Sequence, residues 1–260
     1  MSSFHRSIRA AATTILAVAP LALAAGPAVA TVPLVQAPMI HSGGATPFFI
    51  SHGGGVRNTT VTSDNWSGYA ANGGTYTSVS TTFTQPSVKC SSGDQYSSFW
   101  VGLDGYSSDS VEQTGTEADC DGRTAEYSAW YELYPAYPVT YSNTVKPGDV
   151  ITETVTFSGT STYAMTVKDT TEGWSKTTTK SSSGDARSSA EVIAEAPYSG
   201  GVLPLANFGT VNFSGSTVNG ATLSSSNPTG INMVADSNGA AEATISSLSG
   251  GAFSITWNSK

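Results

Sequence analysis

The feature that most constrains this chain is an alternation of apolar and polar side chains with a period of two. It is clearest at Ile151–Phe157, Tyr163–Val167 and Phe253–Trp257, where the apolar residues fall on one side of an extended backbone. A period of two is typical of a β-strand with one buried face. Beyond the first 30 residues no window of a dozen residues carries a helical stripe. The pattern therefore predicts strands rather than helices.

Turn-forming clusters separate these segments. They are rich in glycine, serine, asparagine and aspartate and lie at 72–74, 91–94, 182–185 and 238–239. We find no repeat of fixed period and no internal linker, and about 200 residues are enough for one hydrophobic core. We therefore predict a single all-β domain over residues 59–260, most simply a sandwich of two antiparallel sheets.

The N-terminal part has the features of a targeting segment. Residues 1–30 combine two arginines, an apolar stretch at 10–25 and a small-residue cleavage site at 28–30, which predicts a secretory signal peptide. A membrane anchor is the alternative, but Pro20 interrupts the stretch, which is shorter than the ~20 apolar residues of a membrane span. Residues 31–58 are poor in charge and predict a flexible leader or pro-segment, with an ordered N-terminal arm as the alternative. We expect a secreted, extracellular protein that is not attached to a membrane after signal removal.

The charges argue against nucleic acid as a partner. All 19 acidic residues lie at or after Asp64, against eight basic residues in the same region, so its net charge is near −11 when every carboxylate is ionised. No basic stripe is present. The low basic content suits work at acid pH, where many carboxylates are protonated, and equally suits an ordinary secreted protein.

The positions of the histidines restrict the chemistry. His5, His41 and His52 all precede Asn65, where the strong folding signal begins. The folded region therefore has no histidine for a Ser-His-Asp or Cys-His mechanism or for a histidine-bound metal. Proton transfer would fall to carboxylates, and we expect no metal and no cofactor.

Two features fit an oxidising, secretory route. Cys90 and Cys120 are the only cysteines, and an even pair in a secreted chain predicts a disulfide, here closing a loop of about 30 residues. N-glycosylation sequons begin at Asn58, Asn65 and Asn212 and matter only in an organism that glycosylates.

The strand Ala190–Glu195 has the strongest chemical pattern. Because side chains alternate between faces, Glu191, Ile193 and Glu195 share one face and the small apolar residues share the other. The two carboxylates would lie about 13 Å apart along the strand, which is too far for them to form a catalytic pair with each other. An ordinary half-buried strand would instead place both glutamates in water.

Aromatic side chains are concentrated in three segments, 65–69, 98–105 and 129–135. Each aromatic residue could simply pack in the core. Together they could also line a groove for an extended polymer, because aromatic walls with a few polar groups are typical of ligand sites.

Several short motifs occur in a fixed order along the chain. They are Asn65-Trp66-Ser67-Gly68, Trp100-Val101-Gly102-Leu103-Asp104-Gly105, Gln113-Thr114-Gly115, Ala129-Trp130-Tyr131-Glu132 with Tyr134-Pro135, Ala190-Glu191-Val192-Ile193-Ala194-Glu195, Leu205-Ala206-Asn207-Phe208 and Val211-Asn212-Phe213. In this order they resemble the glutamic endopeptidases, the eqolisin family of secreted acid peptidases. The resemblance covers residues 65–258.

The resemblance implies a lectin-like β-sandwich with a substrate groove on its concave face. It implies an endopeptidase that cleaves polypeptides with a catalytic dyad of Gln113 and Glu195, and we expect a monomer. Further residues would line the substrate groove: Trp66, Trp100, Asp104, Glu117, Tyr131 and Glu132. The chain departs from the family pattern at three positions where the family often has aspartate: Glu117, Ser128 and Ala196.

Two other functions remain open at this stage. In a carbohydrate-active enzyme or binding module, the aromatic groove would stack sugar rings, and Glu132 and Glu195 could be the carboxyl pair of a retaining glycosidase, about 5 Å apart. A non-catalytic binding module on the same fold is the other alternative. The group close to Glu195 separates the two enzymes: Gln113 in a peptidase, a second carboxylate in a glycosidase.

Overall fold

The computed structural model describes residues 60–235 and 238–258. The predicted signal peptide at 1–30 and the predicted leader at 31–58 lie outside the described residues. Within the described residues no helix is long and apolar enough to cross a membrane.

The predicted all-β class is confirmed. The strands are β1 (Thr60–Ser63), β2 (Trp66–Asn72), β3 (Ser78–Thr84), β4 (Ser98–Leu103), β5 (Val111–Asp121), β6 (Thr124–Tyr134), β7 (Val139–Thr140), β8 (Val150–Ser158), β9 (Thr162–Asp169), β10 (Trp174–Ser181), β11 (Ser189–Glu195), β12 (Thr210–Val218), β13 (Ala221–Thr222), β14 (Thr229–Val234), β15 (Ala241–Ile245) and β16 (Phe253–Trp257). One short 3₁₀-helix spans Leu223–Ser226.

The strands form one continuous hydrogen-bonded sheet rather than two separate ones. Its order is β10-β9-β8-β3-β12-β16-β15-β14-β2-β11-β4-β5-β6-β7, with β13 beside β12 and β1 beside β14. Neighbours are antiparallel except for the parallel pair of β1 and β14. The sandwich arises because the sheet bends, so that the half containing β3, β8 and β9 packs against the half containing β11, β4 and β5.

Aromatic residues fill the space between the two halves. Phe83 of β3 meets Phe99 of β4 with ring centroids 6.0 Å apart, and Phe208 and Phe213 extend the cluster at 5.3 Å from Phe99 and Phe83 respectively. All four rings are buried, and removing each side chain from water contributes about 1.5–3 kcal/mol. This cluster, together with the apolar residues around it, is called the inner core below.

A second apolar cluster covers the opposite face of the β2–β11–β4–β5–β6 half. Its residues are Val61, Trp66, Ala70, Trp100, Val111, Trp130, Ile193 and Ile231. Because both faces are covered, every residue of β11 is buried. The glutamates of this central strand are therefore in the protein interior and not in water.

The disulfide between Cys90 and Cys120 is present, with the Cα atoms 5.4 Å apart. It joins the loop before β4 to the far end of β5. Closing a loop of this length stabilises the fold by about 3 kcal/mol in the chain-entropy model.

Candidate active site

The pairing of four strands places Glu191, Gln113 and Glu132 in one row. Glu191 of β11 pairs with Gly102 of β4, Gly102 pairs with Gln113 of β5, and Gln113 pairs with Glu132 of β6. Directly paired residues point to the same side of an antiparallel sheet. The three side chains therefore share the face that points away from the inner core, which we call the site face.

A second row lies two residues further along each strand. It runs from Ile193 through Trp100 and Gly115 to Trp130. Both indole groups are fully buried. A Cβ atom at Gly115 would lie 2.6 Å from Cβ of Trp100 and 2.9 Å from Cζ2 of Trp130, and would also contact the carbonyl oxygen of Phe99. The glycine of the Gln-Thr-Gly segment is thus required to let two tryptophans lie over the sheet.

We predict that Gly115→Ala moves the Trp100 side chain and lowers both stability and kcat. Overpacking of this kind costs about 1–3 kcal/mol. A shift of Trp100 would also disturb Glu195, whose carboxylate accepts the indole N–H of Trp100. Thermal unfolding and peptide hydrolysis measure the two effects. Gly201→Ala is the matched control, because a Cβ there meets nothing within 4 Å. Equal Tm and kcat in the two variants would contradict the packing role of Gly115.

The third row contains Glu195. Glu195 pairs with Ser98, Ser98 with Glu117, and Glu117 with Ser128. On its other side Glu195 pairs with Trp66 of β2. Glu195 and Gln113 therefore project from the same face, but they lie two strands and four residues apart, with the tryptophan row between them. This separates their Cα atoms by roughly 16 Å. The predicted pairing of Gln113 with Glu195 is corrected here, because Glu191 is the acid in the row of Gln113.

Two neutral N–H donors hold the Glu195 carboxylate. Nδ2 of Asn65 donates to Oε1 at 3.0 Å, and Nε1 of Trp100 donates to Oε2 at 2.8 Å. Glu195 is fully buried. Hydrogen bonds to a carboxylate from neutral donors compensate its burial without neutralising its charge.

The side-chain amide of Gln113 is also fixed in direction. Its Nε2 donates to Oε2 of Glu132 at 2.6 Å, and both side chains are buried. Because Glu132 accepts this bond, the amide nitrogen of Gln113 points towards β6.

Trp66 and Glu117 also lie on the site face. The Trp66 ring meets Trp100 edge to face, with centroids 5.1 Å apart. Oε2 of Glu117 accepts a hydrogen bond from Ser128 at 3.1 Å. Burial, and next the charge of Glu117, raise the pKa of Asp119 well above its usual range. The site face therefore combines aromatic surface with carboxyl groups along β5.

The prediction that Tyr131 lines the groove is wrong. Tyr131 is the neighbour of Glu132 in β6, so its side chain points to the opposite face. There it packs against the inner core and lies 5.5 Å from the ring of Tyr141.

Asp104 supports a loop rather than lining the groove, which corrects its predicted position. It is fully buried just after β4, with a φ of 67°. Its carboxylate accepts hydrogen bonds from the backbone N–H groups of Arg187 at 2.6 Å and Ser188 at 2.8 Å, and from the hydroxyl groups of Ser188 and Ser108. Asp104 thus fixes the segment that leads into β11.

Two residues of the site were not identified as site residues from the sequence. Asn65 begins a sequon and the first motif of the resemblance, but neither predicts that its buried amide contacts Glu195 across 130 residues of sequence. Glu191 was seen to share a face with Glu195, but the sequence left open whether that face was in water. The register shows that it faces Gln113 across Gly102, which has no side chain.

The spacing of carboxyl groups does not fit the glycosidase alternative. Glu132 and Glu195 lie on strands three positions apart, about 14 Å across the sheet, and also four residues apart along it. A retaining glycosidase holds its two carboxyl groups about 5–5.5 Å apart.

Comparisons with known proteins point to one group. Residues 64–257 match the Peptidase A4 family. Aspergillopepsin-2 of Aspergillus niger is 32% identical over 222 residues, covering 75% of this chain and 78% of that protein. The crystal structure of scytalido-glutamic peptidase with a transition state analog inhibitor superimposes with a TM-score of 0.66 at 28% identity, covering 75% of this chain and 98% of that one. SCP-B, a member of the eqolisin family in complex with the tripeptide Ala-Ile-His, gives a TM-score of 0.63 at 25% identity over 75% of this chain and 98% of that one.

Proposed function

The chain belongs to the Peptidase A4 family and is a glutamic-type endopeptidase, and we propose that it cleaves polypeptides at acid pH with Gln113 and Glu191 as its catalytic dyad. The observation that supports this pair is the register, which puts both side chains in one row of the site face with only Gly102 of β4 between them. Two strand spacings separate their Cα atoms by about 10 Å, so the amide and the carboxyl group can reach one water molecule between them without a metal or a covalent intermediate.

Glu191 acts first as a general base. Its carboxylate takes a proton from the water, whose oxygen attacks the carbonyl carbon of the peptide bond. The protonated Glu191 then gives this proton to the leaving nitrogen as the C–N bond breaks. One residue thus serves both half-reactions, and no acyl-enzyme forms.

Gln113 acts as the electrostatic partner. Its bond to Glu132 fixes one N–H, and the second N–H donates to the oxygen that becomes negative in the tetrahedral intermediate. One donor of this kind contributes about 3 kcal/mol of transition-state stabilisation. A neutral amide suits the task because it keeps both hydrogens at any acid pH.

The groove proposed for the substrate runs over the site face. Trp66 offers an aromatic surface next to Glu195, and Glu117 and Glu132 offer hydrogen-bond acceptors. The tripeptide in the SCP-B complex and the peptide-based inhibitor in a second structure of scytalido-glutamic peptidase support a groove that takes an extended polypeptide.

Peptide hydrolysis by the purified full-length protein tests this function. We expect it to cut an acid-denatured protein into peptides at about pH 4, with little effect from inhibitors that target an aspartic dyad. Absence of cleavage across the acid range, under conditions where aspergillopepsin-2 cleaves the same substrate, would contradict the proposal.

We also propose that residues 1–30 direct secretion and that 31–58 are a leader. The sequence features of both segments support this, and aspergillopepsin-2 is a homologue from a family of secreted peptidases. N-terminal sequencing of the protein recovered from culture medium should find a start after residue 30. A product that begins at Met1 would contradict it.

A further inference from the structure

The loop between β4 and β5 is fastened to the strand that carries Glu191. The backbone N–H of Asp104 donates to the carbonyl oxygen of Ser189 at 3.0 Å, and the backbone N–H of Tyr106 donates to the hydroxyl oxygen of Ser189 at 3.3 Å. Ser189 is the first residue of β11 and stands two residues before Glu191. These bonds fix the backbone of Tyr106 next to the proposed base.

Gly105 lets this loop lie close to the site face. Its φ of 109° belongs to the region that favours glycine. A Cβ atom there would lie 2.6 Å from Cγ2 of Val111 and 3.2 Å from Cη2 of Trp66, so a larger residue would push the loop outwards. Tyr106, the next residue, packs against the apolar cluster that contains both of these side chains.

The Tyr106 side chain reaches across β2. Its hydroxyl shares a hydrogen bond with the side chain of Thr229 in β14. Thr229 pairs with Ala70, which pairs with Glu191 on its other side, so these residues continue the row of the dyad. The Tyr106 ring therefore spans the site face at Ala70, on the side of Glu191 that faces away from Gln113.

Burial and charge agree with this placement. Burial raises the pKa of Tyr106, the hydrogen bond with Thr229 partly offsets this, and the nearby charge of Glu191 adds to the shift. Ala70 and Glu191 are both fully buried. The ring of Tyr106 thus limits the space on this side of Glu191.

The proton transfer proposed for Glu191 decides which substrate residue meets Tyr106. Glu191 returns its proton to the leaving nitrogen, so this nitrogen lies next to Glu191, whereas the carbonyl oxygen lies next to Gln113. The substrate residue that carries the leaving nitrogen is called the leaving-side residue below. Its side chain lies on the Tyr106 side of the dyad.

We propose that Tyr106 is a specificity-determining residue that limits the leaving-side residue of the substrate to small side chains. The proposal rests on the proposed function, because it uses the roles of Glu191 and Gln113. Glycine, alanine and serine fit between the Tyr106 ring and Ala70. Phenylalanine or leucine would have to displace the ring and break its hydrogen bond with Thr229.

Two peptides that differ only in alanine or phenylalanine as the leaving-side residue test the role. The wild type should have a kcat/KM about 10-fold or more higher for the alanine peptide, since one methylene group too many in a pocket already costs about 10-fold. Tyr106→Ala should reduce this preference about 10-fold, and Tyr106→Phe, which keeps the ring, should retain most of it. A merely structural role would lower kcat/KM for both peptides together and leave their ratio unchanged.

Controls separate the possible outcomes. Ser107→Ala changes the exposed neighbour of Tyr106 in the same loop and should keep the wild-type ratio. Mapping the bonds that the wild type cuts in a denatured protein needs no variant, and it should find small leaving-side residues. A wild-type preference for large leaving-side residues, or equal ratios in the wild type and Tyr106→Ala, would overturn this inference alone. An active Glu191→Gln would instead overturn the proposed function.

Discussion

Glu191→Gln should reduce kcat by about 10⁴-fold while the protein stays folded, since general acid–base catalysis by one group contributes about 10²–10⁴ and Glu191 serves in both half-reactions. Glutamine has the same size, so it fits the same place in β11. It cannot take or return a proton at any acid pH. Steady-state hydrolysis of a peptide substrate by the purified variant measures the loss.

Gln113→Ala should lose less, about 10²–10³-fold, because it removes one donor to the developing oxyanion and leaves the base in place. Circular dichroism and thermal unfolding show whether each variant is folded. Glu126→Gln is a matched control on an exposed part of β6 and should have wild-type kcat. Near-normal hydrolysis by Glu191→Gln or by Gln113→Ala would remove that residue from the dyad.

The protein should become less stable as pH rises from about 5 towards 9. The reason lies at Glu112, which is next to Gln113 in β5 but points to the inner side of the sheet, where it is fully buried. Burial first, and then the charges of Asp185 and Asp104, raise the pKa of Glu112 from 4.5 to about 9. The folded protein thus holds a proton that the unfolded chain releases.

The sign of the effect follows from this difference. A group with a raised folded-state pKa stabilises the fold fully below its unfolded pKa, and this contribution is lost as pH rises through the folded value. The shift of the Glu112 pKa from 4.5 to about 9 corresponds to a change in the free energy of unfolding on the order of 6 kcal/mol. This change is comparable to the total stability of many domains. Glu153, fully buried in β8, has its pKa raised well above the usual range by burial and adds in the same direction.

Thermal unfolding between about pH 4 and pH 9 measures this loss. We expect the Tm of the wild type to fall steeply as pH rises. The Tm of Glu112→Gln should fall less steeply, because the neutral amide has no proton to release. Glu126→Gln should follow the wild-type curve, since its side chain is exposed. A Tm that stays constant or rises over this range, with no difference in Glu112→Gln, would contradict the account.

Local pattern predicted the fold class and part of the site. The alternation in segments such as Ile151–Phe157 depends only on neighbouring residues, so it identified strands directly. The shared face of Glu191 and Glu195 followed from the same parity. The same alternation puts Tyr131 and Glu132, which are neighbours in β6, on opposite faces of the sheet. The prediction assigned both to the groove because they belong to one family motif.

Long-range pairing could not be predicted from local pattern. Asn65 contacts Glu195 across 130 residues, and only the register of β2 with β11 brings them together. The continuity of the sheet between its two halves depends on the pairing of β14 with β15 and β2, which no single strand specifies. The burial of β11 on the site face depends on a cluster with tryptophans from three other strands, β2, β4 and β6.

A crystal structure with a peptide-based transition-state analogue tests the central claim most directly. The claim is that Gln113 and Glu191 act on the same tetrahedral centre. We predict that one oxygen of that centre lies about 2.6–3.2 Å from the Glu191 carboxylate and the other at a similar distance from the Gln113 amide nitrogen. A tetrahedral centre bound by Glu195 without Glu191, or bound on the inner side of the sheet, would contradict the claim.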